Sequence, residues 1–238
     1  MALLSDVLRA SGDLELWRQL QRFTVHISIG GVLCARKCGV VSLKNLVVEG
    51  STQQQQVEIA SFGASGHRAV YRPDCVALEG PDGQLLQARG ALPTEFRAAF
   101  KSTTWDELQL AHYCGCLIWN YLAVPFILAD SDVLTEELEP TDSDPEELHR
   151  LRARFPPRVV THSADQTFYF DREAVLRRLD YSIECTEETR IAQLFSGHQS
   201  FSGFLVPTLC RILKMGLDGA PIAKPVLVDI EIFDLIFE

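Results

Sequence analysis

Two histidines, His162 and His198, could exchange a proton near neutral pH, because an unperturbed imidazole titrates there. Four further polar side chains, Tyr113, Asn120, Tyr169 and Asp180, interrupt otherwise apolar segments and could orient a substrate or relay a proton. Tyr113 and Asn120 stand seven residues apart on a predicted helix and share a face with Cys116; His112 is their neighbour. A buried polar group left without a partner costs about 1–3 kcal/mol, so each either bonds to a strand end or faces a cavity. Asp180 lies two residues from Arg178 on one face of a predicted strand and suits a cross-strand ion-pair network; Arg177, Leu179, Tyr181 and Ile183 take the other face. The aromatics Trp105, Trp119, Tyr121, Phe126, Phe168 and Phe170 offer apolar area of the kind that shapes a ligand pocket, and equally of the kind that fills a core. The chain has no Gly-x-Ser-x-Gly elbow, phosphate-binding glycine loop or dinucleotide fingerprint, so no cofactor is expected.

The element that must position the helical candidates is Thr103–Ala129. Thr104 with Glu107 reads as a capping box, Asp106 favours the positive end of the helix dipole, and Pro125 stops the helix. The run between is apolar on nearly every face, which predicts burial all round. A membrane span is the competing reading, but Asn120, Pro125, the acidic flanks and the lack of a Lys or Arg anchor favour a buried helix.

Around it the period is two. Met1–Gln21 is predicted helical in part, then Phe23–Ile29 alternates as a strand, with a kink at Gly30-Gly31 and Val32-Leu33-Cys34 continuing extended. Strands follow at Leu43–Glu49, Gln53–Phe62, Gly66–Tyr71, Val76–Glu79 and Gln84–Arg89, the last after a Pro81-Asp82-Gly83 turn. Beyond the helix, strands are predicted at Leu134–Glu139, Leu148–Phe155, Val159–Ser163, Gln166–Phe170, Val175–Glu184, Phe201–Met215 and Val226–Phe237. The expected fold is mainly β (α+β): a large curved antiparallel sheet or half-barrel wrapped around one long central helix, with a short N-terminal helix. One domain is expected over 1–238, divided into a helical segment (1–22), a first strand set (23–100), the helix (103–129) and a second strand set (133–238).

A net charge of -10 argues against nucleic acid or an anionic membrane surface as partner. No secretory signal is evident in Met1–Ser11, so a cytoplasmic protein is expected. The acidic stretch Glu136–Glu147 lacks the spacing of a calcium loop and reads as a solvated loop. The seven cysteines, Cys34, Cys38, Cys75, Cys114, Cys116, Cys185 and Cys210, are odd in number and scattered through apolar runs, as reduced buried thiols would be; no metal site is expected.

Several blocks occur together: Tyr71-Arg72-Pro73-Asp74, Thr104-Trp105-Asp106, Trp119-Asn120-Tyr121, Pro125-Phe126, Phe155-Pro156, Thr161-His162-Ser163, Gln166–Phe170, Asp180-Tyr181 and Pro207-Thr208. In this order the chain resembles, from about Phe23 onward, a family of mostly uncharacterised bacterial proteins with no general assigned reaction. The predicted topology is also similar to the lipoprotein-carrier half-barrel, which implies a concave face able to hold acyl chains. The chain departs from the closer family at Ala174, where a turn glycine is expected, and at Lys37-Cys38-Gly39, where Lys-Gly is expected.

The reading that follows is a lipophilic small-molecule binder, with a polyketide- or isoprenoid-like ligand held between sheet and helix. A cofactor-independent cyclase or isomerase is preferred narrowly, using the six polar candidates. The alternatives are a non-catalytic lipid or metabolite carrier, and a protein-interaction or structural module. A homo-oligomer is compatible with all three.

Overall fold

The computed structural model describes residues 2–39, 43–63, 66–90, 104–139, 148–184 and 188–238. Cys185, the acidic residues 140–147 and the start of the predicted helix at Thr103 lie outside them. The chain opens with α1 (Ala2–Ser11) and α2 (Leu14–Gln19), so the predicted N-terminal helix is a pair; Asp13 caps the second by accepting from the Glu15 and Leu16 amides. A first meander follows: β1 (Arg22–Gly30), α3 (Val32–Cys38), β2 (Leu43–Ser51), β3 (Val57–Phe62), β4 (His67–Arg72), β5 (Cys75–Glu79) and β6 (Leu85–Gly90). Then come α4 (Glu107–Ala123) and a short 3-10 turn at Phe126–Ala129. The second meander comprises β7 (Leu134–Leu138), β8 (His149–Arg154), β9 (Asp165–Phe170), β10 (Leu176–Glu184), β11 (Glu188–Phe201), β12 (Phe204–Lys214) and β13 (Val228–Phe237).

All thirteen strands form one antiparallel sheet in the order β6-β5-β4-β3-β2-β1-β13-β12-β11-β10-β9-β8-β7. The two meanders join where β13 pairs with β1, with Phe23 opposite Phe237 and Ile29 opposite Ile230. The edges β6 and β7 do not pair, so the sheet is open. Period-two burial is clear in β1, where Phe23, Val25, Ile27 and Ile29 are buried, and in β9, where Gln166, Phe168 and Phe170 are. The long helix packs on β3, β4 and β5, and is therefore offset toward the first meander. From there Tyr121 reaches across to the second meander, donating its hydroxyl hydrogen to the Pro207 carbonyl at 2.6 Å.

Four local expectations are corrected. The capping box belongs to Asp106 and Gln109: Asp106 Oδ1 accepts from the Gln109 amide at 2.8 Å, and Gln109 Oε1 accepts from the Asp106 amide at 2.9 Å. Glu107 is drawn instead to His67 Nδ1, 3.0 Å away. The 32–38 segment is helical, because Gly31 turns the chain at φ 103 and the Val32 and Leu33 amides are satisfied by the Val226 and Leu227 carbonyls. A short apolar run such as Val-Leu-Cys carries no period that distinguishes strand from helix. Residues 159–163 are a loop, since the Val160 peptide bonds to side chains in place of a strand neighbour. The 14-residue β11 is a strand the sequence reading omitted; Ser196-Gly197-His198 breaks its alternation, and Gly197 sits at φ 65.

Candidate functional site

The shared helical face of Tyr113, Cys116 and Asn120 is met by residues 155–164, a ten-residue excursion between β8 and β9. Its base is narrow: Arg154 pairs with Asp165 across the hairpin, with an Nε–Oδ1 contact of 2.8 Å. Its tip is gripped at one residue, Val160. The Val160 carbonyl accepts from Gln55 Nε2 at 2.8 Å and Asn120 Nδ2 at 3.0 Å, with Cys116 Sγ 3.6 Å away. The Val160 amide donates to Gln55 Oε1 at 2.8 Å. Next along the loop, His162 stacks on Tyr113 at 5.0 Å between centroids and lies 6.4 Å from Tyr181. Burial holds the His162 pKa down at about 4. Burial, with the nearby His162 adding to it, holds His112 at about 3. Both imidazoles are therefore neutral at pH 7.

Beneath this loop lies a void of about 40 Å³ between α4 and the inner face of β9–β11. Leu117, Val124, Phe155, Leu176, Leu179 and Phe195 form its apolar wall. Asn120, Tyr121, His162 and Gln166 also reach it, together with Tyr181 and Gln193. Such a volume admits about one water-sized group, whereas small-molecule pockets run to about 300–1,000 Å³. A second, open groove of about 700 Å³ lies at one end of the sheet. Trp17, Trp119 and Phe126 line it, Trp17 stacking on Phe126 at 4.5 Å, and Trp119 Nε1 donates to the Ser51 carbonyl at 2.8 Å.

The sequence-predicted residues divide among these places. Tyr113, Cys116, Asn120, Tyr121 and His162 come together around the loop and the void. Trp119 and Phe126 belong to the open groove, and Trp105 flanks Tyr113 with Lys37 5.6 Å above its ring. Phe168 and Phe170 are wholly buried core. Tyr169 and Asp180 lie elsewhere: Arg178 stacks over the Tyr169 ring at 5.0 Å and holds both Asp180 oxygens at 2.6 and 2.8 Å. This ion pair runs along one strand, from i to i+2, and not across strands. His198 sits beside Arg177, with Nδ1 3.3 Å from the guanidinium; burial and then that charge depress its pKa. Among the described residues no group of three His, Cys, Asp or Glu side chains comes together to hold a metal ion. No described helix is long and apolar enough to cross a membrane.

Gln166 and Tyr181 were assigned to strand faces but not to the site, and Gln55 and Gln193 were not singled out at all. Gln55 lies in a Gln-rich run whose members look alike until the fold chooses one. Gln193 carried a usable signal, being the polar member of the inward series Ile191, Gln193, Phe195.

No family model matches the chain, and no curated protein matches it; the block-level resemblance therefore rests on the residues alone. Solved structures do match. One is a LolA superfamily protein from Nitrosomonas europaea, 10% identical with a TM-score of 0.55, covering 99% of this chain and 91% of that one. Another is a putative outer membrane lipoprotein-sorting protein domain from Vibrio parahaemolyticus, 8% identical with a TM-score of 0.57, covering 100% and 91%. The open antiparallel sheet thus shares its fold with these two proteins, in keeping with the half-barrel topology expected from the sequence.

Proposed function

We propose that this protein is a carrier that holds a lipophilic molecule between its open sheet and α4. The observation that carries the reading is the void of about 40 Å³, walled chiefly by apolar side chains and roofed by a loop outside the strand ladder. Loading a ligand requires the 155–164 loop to lift, because the closed void is far below the volume of a small-molecule pocket. The shared fold with a lipoprotein-sorting domain supports the same reading. A carrier is preferred to a cyclase or isomerase because the six polar candidates do not all converge: Tyr113, Asn120 and His162 meet, but Tyr169 and Asp180 are engaged by Arg178 and His198 lies beside Arg177.

The test is titration of the neutral dye N-phenyl-1-naphthylamine into the wild-type protein and Gln55→Ala. Saturable fluorescence is expected in both, developing faster in the variant because one side of the Val160 clasp is gone. No saturable signal in either would rule the carrier reading out.

A further inference from the structure

Most of the polar groups reaching the void are already committed. Asn120 donates to the Cys116 and Val160 carbonyls, Tyr121 to the Pro207 carbonyl, and Gln166 Nε2 to the Ser163 carbonyl. Thr161 donates to the Ser163 carbonyl, and His162 is stacked on Tyr113. Two remain. Tyr181 on β10 is 8% exposed and Gln193 on β11 is 5% exposed, and both line the void. Among the described residues, neither the Tyr181 hydroxyl nor the Gln193 carboxamide makes a hydrogen bond, and both side chains border the void.

The two are neighbours by register. Leu179 pairs with Gln193 and Tyr181 with Ile191, so Tyr181 and Gln193 are diagonal on the inner face, within reach of a common atom for side chains of their length. Burying a hydroxyl and a carboxamide unpaired is unfavourable by about 1–3 kcal/mol each, and apolar residues at the same two positions would avoid it. Their presence in a wall otherwise built from Leu, Val and Phe needs something to bond to.

We propose that Tyr181 and Gln193 form a recognition point for an uncharged oxygen function, a hydroxyl or an ester or ketone carbonyl, carried on the apolar body of the ligand. This rests on the carrier reading and names the class of molecule carried. A carbonyl oxygen accepts from both the Tyr181 hydroxyl and the Gln193 amide. A ligand hydroxyl accepts from Tyr181 and donates to Gln193 Oε1. A carboxylate or phosphate is disfavoured, because no Lys or Arg lines the void and an unpaired charge there would lose its hydration. Burial keeps His162 neutral and raises the Tyr181 pKa, so neither supplies charge of either sign at pH 7. The void of about 40 Å³ matches one small polar group, with the ligand's chain occupying space opened by the loop.

The experiment is displacement of N-phenyl-1-naphthylamine by octane, 1-octanol, methyl octanoate and sodium octanoate at pH 7.5. It uses the wild-type protein, Tyr181→Phe and Gln193→Leu. Both substitutions remove a buried unpaired polar group, so thermal unfolding should occur at or above the wild-type temperature. Each variant should bind 1-octanol and methyl octanoate about tenfold more weakly while octane affinity is unchanged, the loss of roughly one hydrogen bond. Octanoate should compete poorly with all three proteins. Equal effects on octane and 1-octanol, or octanoate binding as tightly as 1-octanol, would overturn the recognition point and leave the carrier reading standing. No binding of the dye or any competitor would overturn both.

Discussion

Gly115 of α4 rests on the ring of Tyr71: a Cβ built on Gly115 would lie 2.4 Å from Tyr71 Cβ and 2.5 Å from Cγ. Tyr71 is buried on β4, so the helix can lie this close to the sheet only because position 115 has no side chain. Gly115→Ala gains about 1 kcal/mol of helix propensity but forces an overpacked contact costing about 1–3 kcal/mol. The variant should be less stable by up to about 2 kcal/mol in urea unfolding. A stability equal to or above wild type would show that the helix can slide outward freely.

Gln55 holds Val160 with both ends of its carboxamide, Nε2 donating to the Val160 carbonyl and Oε1 accepting from the Val160 amide. Gln55→Ala leaves the Val160 amide without that acceptor, a loss of about 1–3 kcal/mol that falls on the loop. Amide hydrogen exchange at Val160 and His162 should accelerate by at least about tenfold, while exchange in β1 and β13 stays unchanged. Uniform acceleration across the sheet would instead mean that Gln55 supports the whole fold.

Acid should loosen the interior before it protonates the carboxylates. His162 titrates near 4 and His112 near 3 in the folded protein, against about 6.5 in the unfolded chain. Between pH 6.5 and 4 the unfolded chain therefore binds protons that the folded one refuses. The full stability is present above pH 6.5 and falls by up to about 1.4 kcal/mol per pH unit for each imidazole as pH drops. His162→Phe keeps the stacking and removes one titration, so its urea midpoint should decline less between pH 7 and 5 than that of the wild type. An identical decline would assign the effect elsewhere.

Ala174 adopts φ 60 in the turn that begins at Asp171, whose Oδ1 accepts from the Glu173 and Val175 amides. The left-handed region costs an L-residue roughly 1–2 kcal/mol, so Ala174→Gly should raise stability by about 0.5–1 kcal/mol after the added freedom of the unfolded chain is offset. Ala174→Val should lower it by at least about 1 kcal/mol, because a branched Cβ fits this region poorly. Thermal unfolding of the two variants gives both signs; a gain with valine would mean the turn rearranges.

The sequence by itself determined the material of this fold. Alternation at Phe23–Ile29 and Gln166–Phe170 specified strands with one apolar face, and helical spacing placed Tyr113, Cys116 and Asn120 on one side of α4. These are properties of neighbours in the chain, where period and backbone sterics suffice. What only the tertiary structure decided were meetings across long separations: Gln55 with Val160, 105 residues apart, and Gly115 with Tyr71. The choice of Asp106 over Thr104 as cap was likewise made in three dimensions, where Arg89 reaches Asp106 at 2.7 Å and His67 takes Glu107. Above all, nothing in the local pattern tells that Asn120 is spoken for and Gln193 is not. Partnership of a buried polar group depends on what the opposing element presents, and that is settled only when both meanders close on β1 and β13 and the loop comes down over α4.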